Sequence, residues 1–522
     1  MPMPDHNTPK AHKKGKRRRS TLVSARRWIQ AFSLCAFMIT LMATRLGGMA
    51  SPANNLAVRI SPFTMLTTMI SSRTFLIGSS VALVLLASSF VAGRAWCGWL
   101  CPLGTILDIF PLARIRKKQA HISDRLRSAK YAILLTAILA AVFSNLTLLF
   151  LDPITITTRT LTVGLLPVLD KSIYQLELIL VNVPPLADTV YKFDQWLRPA
   201  VFQSTPAIFL YPAIVLGFFA LLIALNFLAE RFWCRYLCPL GAVLGLGAKL
   251  SLFRRTVKNS CTSCGLCEAT CPTGTIDRAH GFRSDPSECT LCFNCLGTCK
   301  NSEFAFRQAA RPETGYEYDP GRRTFLESFG AFAVGAVIVN SNVLKLPDTR
   351  FALRPPGSTE VGLLSKCVRC GLCVKACPTQ ALQFDPENSS VVGFMTPVFV
   401  PRNGFCDYNC NACGQTCPVQ AIPSLLLDEK HKVVIGKAVI DHDICLAWGH
   451  QTPCIVCEEM CPLDKKAINL ETRTILDPQG QKIELQLPVV NSETCIGCGT
   501  CEFKCPVPGE AAIRVHTVET TL

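Results

Sequence analysis

Twenty-four of the 29 cysteines in this 522-residue chain fall into six groups of four. Cys261, Cys264, Cys267 and Cys271 form the first, Cys289, Cys292, Cys295 and Cys299 the second, and Cys367, Cys370, Cys373 and Cys377 the third. Cys406, Cys410, Cys413 and Cys417 follow, then Cys445, Cys454, Cys457 and Cys461, then Cys495, Cys498, Cys501 and Cys505. Most keep the spacing C-x2-C-x2-C-x3-C, and proline follows the last cysteine in five of the six groups. Three thiolates on one tight turn grip three corners of a cubane cluster, and the fourth corner comes from a distant cysteine, usually in a partner motif. This pattern serves electron transfer through [4Fe–4S] clusters, about six of them, with these cysteines as the iron ligands.

Other cysteine chemistries fit less well. Zinc sites favour two separated ligand pairs, often with histidine, whereas here the third cysteine follows at the same short interval and no histidine stands in a motif core. Disulfide frameworks suit small secreted domains, not a long chain with a basic amino terminus. No C-x-x-C-H attaches a c-type haem, and no G-x4-G-K-[ST] loop supports ATP-driven chemistry.

A second motif lies upstream. Trp96-Cys97-Gly98-Trp99-Leu100-Cys101-Pro102-Leu103-Gly104 recurs as Trp233-Cys234-Arg235-Tyr236-Leu237-Cys238-Pro239-Leu240-Gly241. On a helix the two cysteines of each pair share a face one turn apart. Brought together, Cys97, Cys101, Cys234 and Cys238 would form a further metal site or a dithiol relay, and they are the candidate catalytic residues. The alternative is that they only pack beside a turn. Lone Cys35 reads as a packing residue.

The elements that position these motifs follow from composition. Charged residues make up only 17% of the chain and its mean hydropathy is +0.30, the balance of a part-membrane protein. Four apolar segments near 28–46, 74–93, 130–151 and 206–229 approach the roughly 20 residues a spanning helix needs. The net charge of +16 is concentrated at Lys10–Arg27, Arg114–Lys130 and Arg231–Lys258, each beside an apolar stretch. That is a positive-inside pattern and not a nucleic-acid surface. It places both C-x3-C-P copies at the cytoplasmic side and the connection 152–205 outside. All eight histidines lie outside the predicted spans, which disfavours a bis-histidine haem in the membrane. The simplest membrane electron donor is therefore a diffusible quinol, with the loops 51–60 and 186–206 as candidate quinol sites.

The expected fold class is a polytopic α-helical membrane domain plus α+β ferredoxin-like modules. The expected divisions are a basic cytoplasmic tail (1–27), a four-helix membrane domain (28–255), a two-cluster ferredoxin domain (256–305), a linker (306–359) and a four-cluster ferredoxin domain (360–522). By the usual crossing, Cys261, Cys264, Cys267 and Cys299 hold one cluster, and Cys271, Cys289, Cys292 and Cys295 another. In the last domain, crossing between neighbouring motifs and crossing of first with fourth both remain open. Short strands such as Lys432–Ile435 suit a repeated βαβ-like unit. Gly321-Arg322-Arg323-Thr324-Phe325-Leu326 before the apolar run Phe329–Val339 is similar to a twin-arginine export signal, and the run can remain as a fifth span. Cluster loading is coupled to folding, so a loaded domain must cross the membrane already folded.

With these motifs in order, residues 28–305 resemble the NapH-type quinol dehydrogenase membrane component of periplasmic nitrate reductase systems. Residues 321–515 resemble the NapG-type, or methylamine-utilisation type, exported polyferredoxin. The second resemblance rests on the twin arginine, Arg354-Pro355-Pro356-Gly357, Cys367-Val368-Arg369-Cys370-Gly371-Leu372-Cys373 and the run Cys445-Leu446-Ala447-Trp448 with Cys454-Ile455-Val456-Cys457. The resemblance implies a multi-pass protein of the inner membrane with its last domain in the periplasm. It implies a quinol dehydrogenase component that takes electrons from the quinone pool to a periplasmic redox enzyme or cytochrome. A maturation factor for a metalloenzyme, and a cytoplasm-facing membrane ferredoxin, are the alternatives. No nucleic-acid partner is expected.

Overall fold

A computed structural model describes residues 21–46, 55–111, 124–201, 209, 211–257, 261–278, 281–296, 298–299, 304–308, 330, 352–384, 392–476 and 482–518. The twin-arginine stretch, nearly all of the apolar run after it and the first 20 residues lie outside them.

The amino-terminal half is helical. Its main elements are α1 (Thr21–Leu46), α2 (Pro62–Ser72), α3 (Ser80–Ala92), α4 (Pro102–Ile109), α5 (Ala129–Val142), α6 (Pro153–Arg159), α7 (Leu166–Val181), α8 (Pro184–Val201), α9 (Pro212–Ala224) and α10 (Pro239–Ala248). Among the described residues no helix is long and apolar enough to cross a membrane, which corrects the expectation of four unbroken spans. The local chemistry explains the breaks. The second apolar segment ends where Gly93 adopts φ 56°. The third ends where Ser144 turns left-handed at φ 58°. Helices α3, α5 and α9 hold 13, 14 and 13 residues, so each reaches only about 20 Å at 1.5 Å per residue. The connection 152–205, expected as an outer loop, is largely helical.

The helices nevertheless keep an apolar exterior. Val84 on α3 is 69% exposed, Ile179 on α7 66% and Trp196 on α8 69%. A surface helix that faces only water carries a polar outer stripe, and α3 and α9 carry none.

Cysteine-rich units occupy the remainder, held by two-stranded antiparallel pairs. β1 (Phe253–Val257) pairs with β2 (Phe304–Gln308) and brackets the first two motifs. β3 (Leu382–Phe384) pairs with β4 (Pro397–Phe399), and β5 (Lys437–Ile440) with β8 (Ile513–His516), closing the last two motifs. β6 (Ile468–Leu476) and β7 (Lys482–Val490) form a long hairpin. The expected strand Lys432–Ile435 is instead a turn and an extended link, and the ladder begins at Lys437. The Val433 amide returns to the Lys430 carbonyl oxygen, which uses the group a ladder would need. All strand pairs among the described residues are antiparallel, so the βαβ-like expectation is not met.

The two cysteine-rich parts dock at opposite ends of the helical module. Lys130, at the start of α5, pairs with Glu288 of the first part, while the Leu146 carbonyl just past the end of α5 accepts from Arg369 of the second. Helix α1 repeats the arrangement. Arg26 is near enough to Cys292 for their charges to interact, and the Leu41 carbonyl accepts from Lys375. The fifteen residue steps from Arg26 to Leu41 span about 22 Å.

Candidate functional site

The repeated Trp-Cys motifs meet. Cys97, Cys101, Cys234 and Cys238 are all buried, and the charge on Cys238 would be felt by the other three. Cys101 and Cys238 each stand just before a helix with proline as its first residue, α4 and α10. Proline suits that position because its missing N–H has no partner there anyway. The Gly241 amide donates to Cys238 Sγ at 3.3 Å. Helix amino termini carry partial positive charge, so two of them converge on sulfurs that must hold negative charge to bind metal or to act as nucleophiles.

Two buried arginines complete the arrangement, and the repeat is longer by two residues than the cysteine pattern suggests. Arg94 precedes Trp96-Cys97 as Arg231 precedes Trp233-Cys234. Arg94 Nη2 donates to the Cys234 carbonyl oxygen at 2.9 Å, and Arg231 Nη1 donates to the Cys97 carbonyl oxygen at 3.0 Å. Each copy thus holds the first cysteine of the other. Each arginine has its own carboxylate: Arg94 meets Glu288 at 2.8 Å, and Arg231 meets Asp108 at 2.6 Å. Burial alone would raise the Glu288 carboxyl, but Lys130, Arg94 and Arg127 together hold it below its usual range. Asp108 behaves alike: burial would raise its carboxyl, but Arg231, Arg26 and the Gln30 hydrogen bond together hold it below its usual range. Sequence reasoning found the thiols and missed these arginines; the extended repeat Arg-x-Trp-Cys was the available signal.

The first ferredoxin unit docks on this nest. The Thr290 carbonyl lies so close to Gly98 that a Cβ there would come within 2.3 Å of it. Trp99 Nε1 donates to the Leu291 carbonyl at 3.0 Å, and its ring meets Phe293 edge-on at 5.9 Å. Phe293 has φ 57°, a left-handed conformation that glycine fills at Gly265, Gly371 and Gly499, each also directly after the second cysteine of a motif. A side chain there costs roughly 1–2 kcal/mol, and here that side chain contacts the helical module.

Within the ferredoxin units the cysteines group by motif crossing. Cys271 lies near Cys289, Cys292 and Cys295, the expected exchange in the first unit. Cys261, Cys267 and Cys299 pack together with it around Ile276 and Phe282, and Cys264 neighbours Cys267. Burial pushes the Cys289 thiol up to about 12. In the second part, where the sequence left two pairings open, neighbours cross. Cys417 joins Cys367, Cys370 and Cys373, while Cys377 joins Cys406, Cys410 and Cys413. Cys445, Cys454, Cys457 and Cys505 line one concave space, and Cys461, Cys495, Cys498 and Cys501 another of about 340 Å³, part of it open to solvent. Their other linings are mainly apolar, such as Ile440 and Pro488 in the first and Leu463 and Ile468 in the second. Four sulfurs around an apolar space suit a cubane cluster, whose ligands sit at its corners. Among the described residues no three histidine, cysteine or acidic side chains stand close enough to hold a single metal ion.

The groups also form a line. Cys373 of the first set senses Cys413 of the second, Cys406 of the second senses Cys498 of the third, and Cys501 of the third senses Cys457 of the last. The set containing Cys367 rests on the helices through Arg369. That side chain is fully buried in the Cys-Val-Arg-Cys motif and donates to the carbonyls of Leu146 (2.6 Å) and Val392 (2.7 Å). Asn55 and Arg59 donate to Thr416 and Pro418. The described part of 51–60, expected as a quinol site, is therefore a seat for this unit. On the second candidate stretch, 186–206, the described residues belong mostly to the exposed helix α8.

Comparison with known proteins agrees with the cysteine chemistry. Models described as 4Fe-4S binding domains match residues 74–119, 211–259 and 488–508, and a 4Fe-4S dicluster domain matches 366–421. The first of these covers both C-x3-C-P motifs. The chain is 41% identical over 168 residues to the methylamine utilization ferredoxin-type protein MauM of Methylorubrum extorquens, covering 31% of this chain and 72% of the relative. MauM of Paracoccus denitrificans is 38% identical over 205 residues, 38% of this chain and 84% of the relative. The ferredoxin-type protein NapG of Haemophilus influenzae is 34% identical over 205 residues, 38% of this chain and 72% of that protein. No solved structure matches. The protein is a 4Fe–4S electron-transfer protein, and its chain belongs to the ferredoxin-type family that includes MauM and NapG.

Proposed function

We propose that the protein is a membrane-seated relay that passes electrons from quinol, through the thiol nest and the ferredoxin units, to a redox partner on the far side of the membrane. The observation that carries this reading is the docking of two ferredoxin units at opposite ends of one helical module with an apolar exterior. Exposed apolar surface on this scale marks a lipid or partner contact. The NapH-type fusion, the inner-membrane location and the periplasmic side of the second unit are parts of the same proposal.

In this reading the twenty-four motif cysteines hold six clusters, and the clusters supply the electron carriers. The protein's own residues set spacing, burial and charge around them. The matched 4Fe-4S model over both C-x3-C-P copies supports iron at the nest as well. The set containing Cys445 lies at the end of the line, beside the inserted stretch that carries Trp448. His442 stacks on that ring at 4.1 Å and Arg473 lies over it at 5.1 Å, which suits an exit surface for a redox partner. The test is anaerobic addition of ubiquinol or menaquinol to the purified full chain in lipid nanodiscs. Cluster bleaching with at least one of them is expected, and its absence with both would overturn the reading.

A further inference from the structure

A cleft opens between the first turns of α1, helix α4 and the segment 226–231, with Pro272 and Asn294 of the first ferredoxin unit on one wall. Its free space is about 1230 Å³, part of it open to solvent. Two of its lining side chains are almost fully buried and incompletely satisfied. Arg26 is 4% exposed, and its Nε and Nη1 make no hydrogen bond, although Nη1 stands 3.7 Å from Asp108 Oδ2. Asn226 is 1% exposed; its Nδ2 donates to the Leu107 and Phe110 carbonyls, while Oδ1 accepts from nothing. A buried polar group left without a partner costs about 1–3 kcal/mol, a penalty that a suitable ligand removes.

The ligand chemistry follows from what is unpaired: N–H donors on Arg26 and a carbonyl acceptor on Asn226. The lining is mixed: Leu34, Leu107, Ile109 and Pro111 supply apolar surface, and Asp108, Glu230 and Arg231 supply charge. A flat apolar ring with an oxygen at each end, one of them an O–H, satisfies both groups. The cleft is also beside the electron carriers, since Arg26 and Arg231 both sense Cys292 and Arg231 also senses Cys234.

We infer that this cleft is the hydroquinone site: Arg26 donates to one ring oxygen, and the opposite hydroxyl donates to Asn226 Oδ1. The inference rests on the proposed quinol-driven relay and gives it a location, at the end of the helices that holds the first ferredoxin unit. Oxidation of one hydroquinone to quinone releases two electrons and two protons. The cysteine sets of the adjoining unit, Cys271 with Cys289, Cys292 and Cys295, and Cys299 with Cys261, Cys264 and Cys267, would hold the two one-electron acceptors, and the protons would leave through the open mouth to water.

The test uses the full chain in detergent and the fluorescent quinol analogue 2-heptyl-4-hydroxyquinoline N-oxide as probe. Saturable quenching is expected with the parent protein. Arg26→Met and Asn226→Leu should each weaken binding at least roughly tenfold while the visible cluster spectrum is kept. Should Asn226→Leu lose that spectrum, Arg26→Met alone decides. Unchanged affinity in the variants that keep the spectrum would overturn the site. A parallel quinol-reduction assay separates the two levels: a parent protein that no quinol reduces removes the relay, whereas equal reduction of parent and variants removes only this cleft.

Discussion

Replacing Glu288 by leucine should release the first ferredoxin unit from the helices. Arg94, Lys130 and Arg127 all converge on this one carboxylate, and Arg94, Lys130 and Glu288 are 3% exposed or less. Removing one partner of a buried ion pair costs about 3–5 kcal/mol, because the remaining charge stays buried and uncompensated. Here three cations lose their counter-charge, so the upper end of that range is expected. Thermal unfolding and hydrogen exchange at Thr290 and Leu291, which lie against Gly98 and Trp99, are the measurements. A large loss of protection there is expected, with the last four motifs unaffected. Asp188→Ala is the control: its pair with Lys192 is exposed on both sides, and such pairs contribute little. Equal effects from the two substitutions would show that the Glu288 cluster does not hold the unit.

The second large effect is expected from Cys238→Ser. If Cys97, Cys101, Cys234 and Cys238 only pack, serine is close to neutral, since its hydroxyl can accept from the Gly241 amide as the sulfur does. A buried hydroxyl in place of the thiol then costs about 1 kcal/mol and no rate. If the nest carries electrons, quinol-dependent reduction of the Cys367 set falls roughly a hundredfold or more, while dithionite still reduces every ferredoxin cluster. A loss confined to the rate of one step is the signature of a carrier. Iron analysis separates the two redox forms of the nest: loss of about four iron atoms indicates a cubane, and unchanged iron indicates a dithiol. A variant that keeps the parental rate would leave the nest as packing.

How much of this was legible beforehand depends on range. Motif spacing alone pointed to 4Fe–4S chemistry, and the usual crossing placed Cys271 beside Cys289, Cys292 and Cys295, the neighbours it has in the structure. The two C-x3-C-P copies were visible as a repeat, but their meeting was one option beside plain packing at a turn. The crossing of Cys377 with Cys417, and of Cys461 with Cys505, was not legible, because it depends on which strand ladders close around which turns. Hydropathy windows also misled. They average over breaks, so the segment 74–93 read as one span although its helix begins only at Ser80 and ends at a left-handed Gly93. The arginine pair escaped because charged residues beside apolar stretches were read as topology signals. Arg94 and Arg231 are instead buried and hold the cysteine turns in place.

The central claim is that one chain presents ferredoxin units on opposite sides of a membrane, and sidedness tests it most directly. One epitope would be inserted at the Gly281 turn of the first unit, where the structure leaves open space, and another placed after Leu522. Both would be probed with protease in intact and lysed spheroplasts. The account predicts that the carboxy-terminal epitope is cut in intact spheroplasts and the Gly281 epitope only after lysis. Protection of both until lysis, or cleavage of both before it, would place the units on one side and contradict a transmembrane relay.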